Sequence, residues 1–462
     1  MTTHVLLTHI TFAALPFTVA TRAALVLGLC LLLAGKAHSA NDYSIVQLQP
    51  IAEAKQAQQV ALSQTEPANG LAAALQATMT HNPMVKGKQS EVQEQRFRVS
   101  SAQAQRYPTL SGGANNIADD FNQATLRVDQ PLWTFGRIDT AIEQAQVGVT
   151  AQQWQLLDVK RQLLEDTATA YIKIEGIRLR MAVAQANIEA HQRYFTRIER
   201  REEGQLASTA DVRLAYSRLL QAQLQLQGID GELQIAHTNL QALTQVRVST
   251  DIEVDRQLAK LPLYSEVERI AIEQQANVQL KRQNIEVAKL NLRAEKIAYK
   301  PTISFRVETD LLDHGTADSV RAGFSIESRF EGLGLVTRGR IKGSESRLAA
   351  AQYDLDNALN DTRRLINTLM QNRQIQESLM KMQTLTVEAM QETLDSFLRQ
   401  YDSGRKTWLE VLNTQRELTG LQLQQVQTEN DWLVSSLRVA ALIGNLDEQA
   451  GVNMVGKYSD EY

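Results

Sequence analysis

The sequence predicts a mainly α protein with a small β part, in which long antiparallel coiled-coil helices carry four short strands. Three observations predict it. Turn formers are scarce, with 8 Pro and 23 Gly in 462 residues and 5% aromatics, while Ala, Gln, Leu and Glu fill long uninterrupted stretches. Short segments beyond Pro108 and Pro301 switch from a helical period to a period of two. The whole pattern then recurs about 200 residues later, as a tandem duplication would.

The chain opens on an export-type leader. Arg22 precedes the apolar run Ala23 to Ala34, and Lys36, Ala37, Ser39 and Ala40 follow. This reads as a signal peptide over 1–40 cleaved near Ser39 or Ala40, with an uncleaved signal anchor as the alternative. Cys30, the only cysteine, sits inside that run after Leu29, where a lipoprotein signal would carry a small residue. Cleavage therefore leaves no thiol, which suits an oxidising compartment. It also leaves 46 basic against 52 acidic residues, a net charge of −6 that gives no reason to expect nucleic-acid binding. Beyond residue 40 no apolar run approaches the roughly 18 to 20 residues of a spanning helix.

After an N-terminal segment, 41–70, the chain divides into two helix–strand–strand–helix repeats, 71–265 and 266–445, and a tail, 446–462. Three matches support the duplication: Arg106-Tyr107-Pro108-Thr109-Leu110 with Tyr299-Lys300-Pro301-Thr302-Ile303, Gly136-Arg137-Ile138 with Gly339-Arg340-Ile341, and Asp211-Val212 with Glu410-Val411. Each repeat starts with a helix, about 71–106 and 266–299, that Pro108 or Pro301 stops.

The strands follow. Ile303, Phe305, Val307, Thr309 and Leu311 alternate with Thr302, Ser304, Arg306, Glu308 and Asp310. Over 320–331, Val320, Ala322, Phe324, Ile326 and Phe330 oppose Arg321, Ser325, Glu327, Arg329 and Glu331. In the first repeat Leu126 and Val128 oppose Thr125, Arg127 and Asp129, and a further strand is expected near 109–117. The turn residues lie in 112–120 and 310–319. Lengths and alternation fit transmembrane strands with Arg306, Glu308, Arg321, Glu327 and Arg329 facing a lumen, and Tyr107, Trp133, Phe135, Tyr299 and Phe330 in an interfacial girdle. A half-buried sheet in a water-soluble domain is the other reading. Four strands are too few for a barrel, and an open edge is not viable in lipid, so a membrane reading requires several chains to share one barrel.

Long helices come next. From Thr134 to about Glu203, Ile142, Val149, Leu156, Leu163, Ala170, Ile177 and Ala184 recur every seventh residue, with Ala145, Val159, Ile174, Met181, Ile188 and Phe195 between. Leu348, Ala351, Leu355, Leu365, Leu369, Leu379 and Met382 repeat this from about Thr337 to Gln400. Return helices start near Ser208 and Thr407. The last carries two apolar stripes, one through Leu418, Leu421, Trp432, Val439 and Leu442 and one through Leu423, Val426, Leu433, Leu437 and Ala440. Two stripes imply neighbours on both sides, as in a closed ring of helices.

With its Pro-Thr strand entries, the exit Gln130-Pro131-Leu132-Trp133-Thr134-Phe135-Gly136, and the two helix turns, the chain resembles the TolC family of outer-membrane export channels over about residues 71 to 445. The turns read Glu203-Gly204-Gln205-Leu206-Ala207-Ser208-Thr209-Ala210-Asp211-Val212 and Tyr401-Asp402-Ser403-Gly404-Arg405-Lys406-Thr407-Trp408-Leu409-Glu410-Val411. The resemblance implies a homotrimer with a shared twelve-stranded outer-membrane β-barrel and a periplasmic α-barrel. It also implies a periplasmic adaptor (membrane fusion) protein and an inner-membrane ABC or proton-driven transporter as partners. By the same resemblance the second turn lines a periplasmic gate, with Tyr401 as its aromatic, Lys406 as its basic and Glu410 as its first acidic residue. Asn413 stands where the family's best-known member has a second Asp, which halves the carboxylates expected at the entrance. Asp211, counted with Asn413 among the gate residues the resemblance implies, matches the helix-start position of the first turn, with Gly204 displaced by one. Elementary alternatives stay open: Asp211 and Glu410 as dipole partners, Gly404 as a helix terminator and Tyr401 as packing.

No enzyme is expected. His81, His191, His237 and His314 lack metal-ligand spacing, and Gly332, Gly334, Gly339 and Gly343 lack the Gly-Lys-Ser/Thr ending of a phosphate loop, so a strand-to-helix bend is the better reading. No cofactor is implied. For cargo, Gly332-Leu333-Gly334-Leu335 is similar to family members serving adhesin or other type I protein secretion. The alternatives are multidrug or small-molecule efflux and, from another class, a periplasmic adaptor or structural coiled-coil protein.

Overall fold

The computed structural model describes residues 68–115, 123–250, 254, 256–310, 320–329 and 331–452. The leader, Cys30, Leu311, Phe330, most of the two strand-to-strand turns and the end of the tail lie outside these residues. The chain forms two compact units, each drawing on both repeats. One contains Glu94–Val149 and Ile285–Ala350; the other contains Thr150–Asn284, Ala351 onward and the described residues before Glu94.

The elements run β1 (Ala68–Asn69), α1 (Gly70–His81), α2 (Pro83–Ala104), β2 (Thr109–Asn115), β3 (Gln123–Trp133), α3 (Arg137–Glu203) and α4 (Thr209–Thr244). Next come β4 (Val248–Ser249), α5 (Tyr264–Gln274), α6 (Ala276–Ile297), β5 (Thr302–Asp310), β6 (Val320–Glu327), α7 (Leu335–Asp402), α8 (Trp408–Leu442) and α9 (Asn445–Gln449). Among the described residues no helix is long and apolar enough to cross a membrane.

The helix expected over 71–106 is two helices, and so is the one over 266–299. At the first break, Pro83 has no N–H to give the preceding turn. The Asn82 side chain takes over, accepting from Met84 N at 2.9 Å and donating to the Leu243 carbonyl at 2.9 Å. The second break, at Gln275, has no proline. There Arg161 donates to the Gln274 carbonyl at 2.6 Å, occupying an acceptor that a continuous helix would use internally.

In the first unit the four strands pair antiparallel in the order β2-β3-β5-β6. The register places Leu126, Val128, Phe305, Val307, Ala322 and Phe324 on one face and Arg127, Asp129, Arg306, Glu308 and Arg321 on the other. Leu132 is the extra residue of a bulge between Pro131 and Trp133, a place that tolerates the missing proline N–H. β6 ends at Glu327, so Arg329, expected on the charged face, lies two residues beyond it.

Both strand exits turn into a helix through consecutive left-handed residues, Phe135-Gly136 before α3 and Gly332-Leu333-Gly334 before α7. Structurally Gly136 therefore corresponds to Gly334. Gly339, its partner in the sequence match, lies inside α7.

In the second unit, α8 is covered on both stripes: Leu418, Val439 and Leu442 are buried, and so are Leu433, Leu437 and Ala440. In α3 the seam places Ile142, Val149, Leu163, Ile177 and Ala184 inside. The α7 seam differs, because Leu369 is buried while Leu365, Leu379 and Met382 are exposed. Gly444, at φ 82°, ends the α8 connection, and a side chain there would meet Arg161 Nη2 at 2.8 Å. That close approach seats the buried Arg161–Asp447 ion pair, at 2.7 Å.

Candidate functional site

The two helix turns are the candidate site, and local chemistry builds both. α4 is capped by Ser208, whose Oγ accepts from Asp211 N at 3.1 Å, while Asp211 Oδ2 accepts from Ser208 N at 3.3 Å. α8 is capped by Thr407, whose Oγ1 accepts from Glu410 N at 3.4 Å, while Glu410 Oε2 accepts from Thr407 N at 2.8 Å. Both are capping boxes. Each preceding helix closes on a left-handed residue, Gln205 at φ 57° and Gly404 at φ 75°. Leu206 N donates to Arg201 O at 2.7 Å, and Arg405 N donates to Gln400 O at 2.9 Å. Gly404 is thus matched by Gln205 rather than by Gly204.

Lys406 donates to Glu410 Oε1 at 2.6 Å, and its ammonium lies 4.3 Å from the centre of the Phe397 ring. The Lys406 bond, then the Thr407 backbone and hydroxyl bonds, lower the Glu410 carboxyl to about 2. Lys406 and Glu410 therefore join each other within the turn. Asn413 is half-buried in the next turn of α8, and Asp211 serves the cap of α4.

Tyr401 is buried, 8% exposed, with Arg201 stacked 4.8 Å from its ring centre and Trp408 at 5.1 Å. Burial, the larger cause, raises its phenol pKa. Arg197 pairs with Asp402 beside it. Beneath lie Tyr194, 5.6 Å from Trp408, and His191, 5.9 Å from Tyr194. Tyr194 Oη hydrogen-bonds Gln415 Oε1 at 3.0 Å, and Thr419 and Gln415 both donate to Asn187 Oδ1, at 2.9 and 3.3 Å. Burial first, then the Arg218 charge, lowers His191 to about 4, so it is neutral at neutral pH.

Sequence reading singled out Tyr401, Lys406 and Glu410 but passed over Trp408, Tyr194, Arg201 and the Asn187–Gln415 layer. A signal was present: Asn187, His191, Tyr194, Ile198 and Arg201 step by four, three, four and three, the spacing of a helix seam. His191 looked isolated because Arg218, whose charge acts on it, comes from another helix, α4.

On the sheet, Arg306 bridges Asp129 at 2.5 Å and Glu327 at 2.6 Å, and Arg127 pairs with Glu308 at 3.0 Å. Arg321 stands opposite Glu308 in register. Opposite charges across strands stabilise a face that carries no apolar layer. Among the described residues no cluster of His, Cys, Asp and Glu could hold a metal ion.

The chain is 22% identical over 422 residues to the outer membrane efflux protein BepC of Brucella suis biovar 1 (strain 1330), covering 87% of this chain and 90% of that one. It is 22% identical over 404 residues to the solvent efflux pump outer membrane protein SrpC of Pseudomonas putida, covering 80% and 84%. The crystal structure of the outer membrane protein VceC from Vibrio cholerae shares the fold at a TM-score of 0.69 and 16% identity, covering 81% of this chain and 96% of that one. A family profile matches residues 74–245 and 269–445, one block in each repeat, and so the protein belongs to the outer membrane efflux protein family.

Proposed function

We propose that the protein is the outer-membrane exit duct of a tripartite export system, formed by three copies of the chain. The observation that carries this reading is the four-stranded sheet. Its apolar face is exposed along the outer strands, with Leu110 59% and Phe324 77% exposed, its other face is a ladder of ion pairs, and neither β2 nor β6 has an outer partner among the described residues. Such a sheet suits lipid on one side and water on the other, once neighbouring copies satisfy its edges. Three copies would supply twelve strands, with Arg306, Glu308, Arg321 and Glu327 lining the lumen. Two exposed stripes suit the same arrangement. Tyr216, Leu220 and Leu224 line α4, and Ile375, Leu379, Met382 and Leu385 line α7. Different patches on one chain that fit each other close into a ring.

The cargo reading is small-molecule efflux through a periplasmic adaptor and an inner-membrane transporter. Efflux is the activity named for BepC and SrpC. The Gly332-Leu333-Gly334-Leu335 segment, which suggested protein secretion, forms the left-handed bend into α7. Deleting the gene should raise sensitivity to solvents and hydrophobic drugs while leaving the secreted proteins unchanged. The opposite pattern would restore type I secretion. Recovery as a water-soluble monomer, in place of a heat-modifiable trimer in the outer-membrane fraction, would defeat the channel reading itself.

The second turn is proposed as the periplasmic gate, with Tyr401, Lys406 and Glu410 holding its closed form and Asn413 beside them. Asp211 acts as a helix cap. Lys406→Ala combined with Tyr401→Ala should raise single-channel conductance in planar bilayers. Unchanged conductance from intact trimers would remove these residues from the gate.

A further inference from the structure

We propose that the helix-proximal end of the sheet is a binding collar for acidic phospholipids, with Lys300, Arg329 and Arg338 holding the headgroup phosphates. The proposal rests on the membrane-barrel reading above. β2 and β5 start at this end and β3 and β6 finish there, so four chain segments converge on it. Residues 104–108, 134–142, 298–301 and 328–342 contain seven basic residues against Asp139 and Glu331. The connecting sequences at the opposite end, 116–122 and 311–319, contain Asp119, Asp120, Asp313 and Asp318 and no Lys or Arg. The connections on the helix side thus carry a basic excess that the two strand-to-strand connecting sequences lack.

Part of the basic excess is already engaged. Arg106 pairs with Asp139 at 2.7 Å, Arg340 pairs with Glu331 at 3.0 Å, and Arg137 donates to Thr302 Oγ1 at 2.6 Å. Lys300, Arg329 and Arg338 have no ion-pair partner among the described residues, and Arg329 and Arg338 are exposed. Internal ion pairing therefore does not account for their charge.

What surrounds them suits a lipid interface. Tyr107, Trp133 and Tyr299 are exposed beside these basic residues, and Leu333, 98% exposed, projects from the left-handed connector. Ser328 Oγ donates to the Tyr299 carbonyl at 2.9 Å, which ties the β6 exit to the β5 entry. Amphipathic rings settle at headgroup level, while arginine and lysine extend to phosphate from a stem lying in the acyl boundary. An anionic headgroup also adds attraction that a zwitterionic one lacks.

Purified protein reconstituted in vesicles containing brominated phosphatidylglycerol or brominated phosphatidylcholine tests this. Trp133 emission is isolated by subtracting a Trp133→Phe variant. The expected result is stronger quenching by the brominated phosphatidylglycerol, with a relative association about fivefold higher. That preference should fall towards unity in Lys300→Gln/Arg329→Gln/Arg338→Gln and weaken with added salt. Equal quenching by both lipids would overturn the collar and leave the membrane reading standing. A preference that survives the triple substitution would overturn the assignment to these residues. No quenching by either lipid would overturn the collar and the membrane barrel together.

Discussion

The first helix turn and the second lie 199 residues apart, use the same closing bonds and are capped by the same box, yet different side chains fill them. Thr209 opens α4 where Trp408 opens α8, and Ala207 stands where Lys406 does. Gln205 holds the left-handed position that Gly404 holds in the second turn. The second turn is thereby packed into an aromatic stack of Tyr401, Trp408 and Tyr194, while the first ends on the exposed Leu206. The two turns share one backbone solution and differ in the side chains around it. Only the second turn carries such a stack.

The largest test of that difference is Trp408→Ala set against Thr209→Ala. Trp408 is 3% exposed, and its loss should destabilise the second turn by about 3–5 kcal/mol. Thr209→Ala should stay within about 0.5 kcal/mol. Amide hydrogen exchange across the two turns reads both effects, and equal protection losses would erase the distinction.

Acid gives the next test. His191 is held near 4 when folded, against an ordinary value of 6.5. Between these values the unfolded side chain binds a proton that the folded one does not. Its contribution is therefore fully present above about 6.5 and is lost as pH falls towards 4, by up to about 3 kcal/mol. Exchange protection of the Tyr194–Trp408 layer should decline over that window. His191→Phe should flatten the decline down to pH 5, above the range where Glu410 titrates; an unchanged slope would exclude His191 as its source.

The smallest test is a swap of turn residues. Gln205→Gly should stabilise the first turn by about 1 kcal/mol, because a side chain at positive φ crowds the following carbonyl oxygen. Gly404→Gln should weaken the second turn by about the same amount. Urea unfolding midpoints of the two variants should move in opposite directions, and a shared direction would contradict the equivalence of the two positions.

Much of this was readable beforehand. Pro108 and Pro301 marked the strand entries, and the alternation of 302–310 gave the sheet faces, because a period of two follows directly from backbone pleating. Ser208 and Thr407 proved to be the caps of the return helices, since a short hydroxyl followed three residues later by a carboxylate is a local signal. The break at Gln275 was not readable, as it depends on Arg161, 114 residues earlier in the chain. Gly204 drew attention from Gln205 because glycine is the usual left-handed residue, and this turn departs from the usual.

The sequence by itself determined the helix and strand periods, the caps and the charge difference between the two sets of connecting sequences. Each of these depends on neighbours within a few positions or on composition. Tertiary structure alone decided that Trp408 and Tyr401 of the second turn pack against Tyr194 and Arg201 of α3, and that Asn187 meets Gln415 and Thr419. Those outcomes depend on distances between helices that lie close in space and far apart in sequence, which no local pattern encodes.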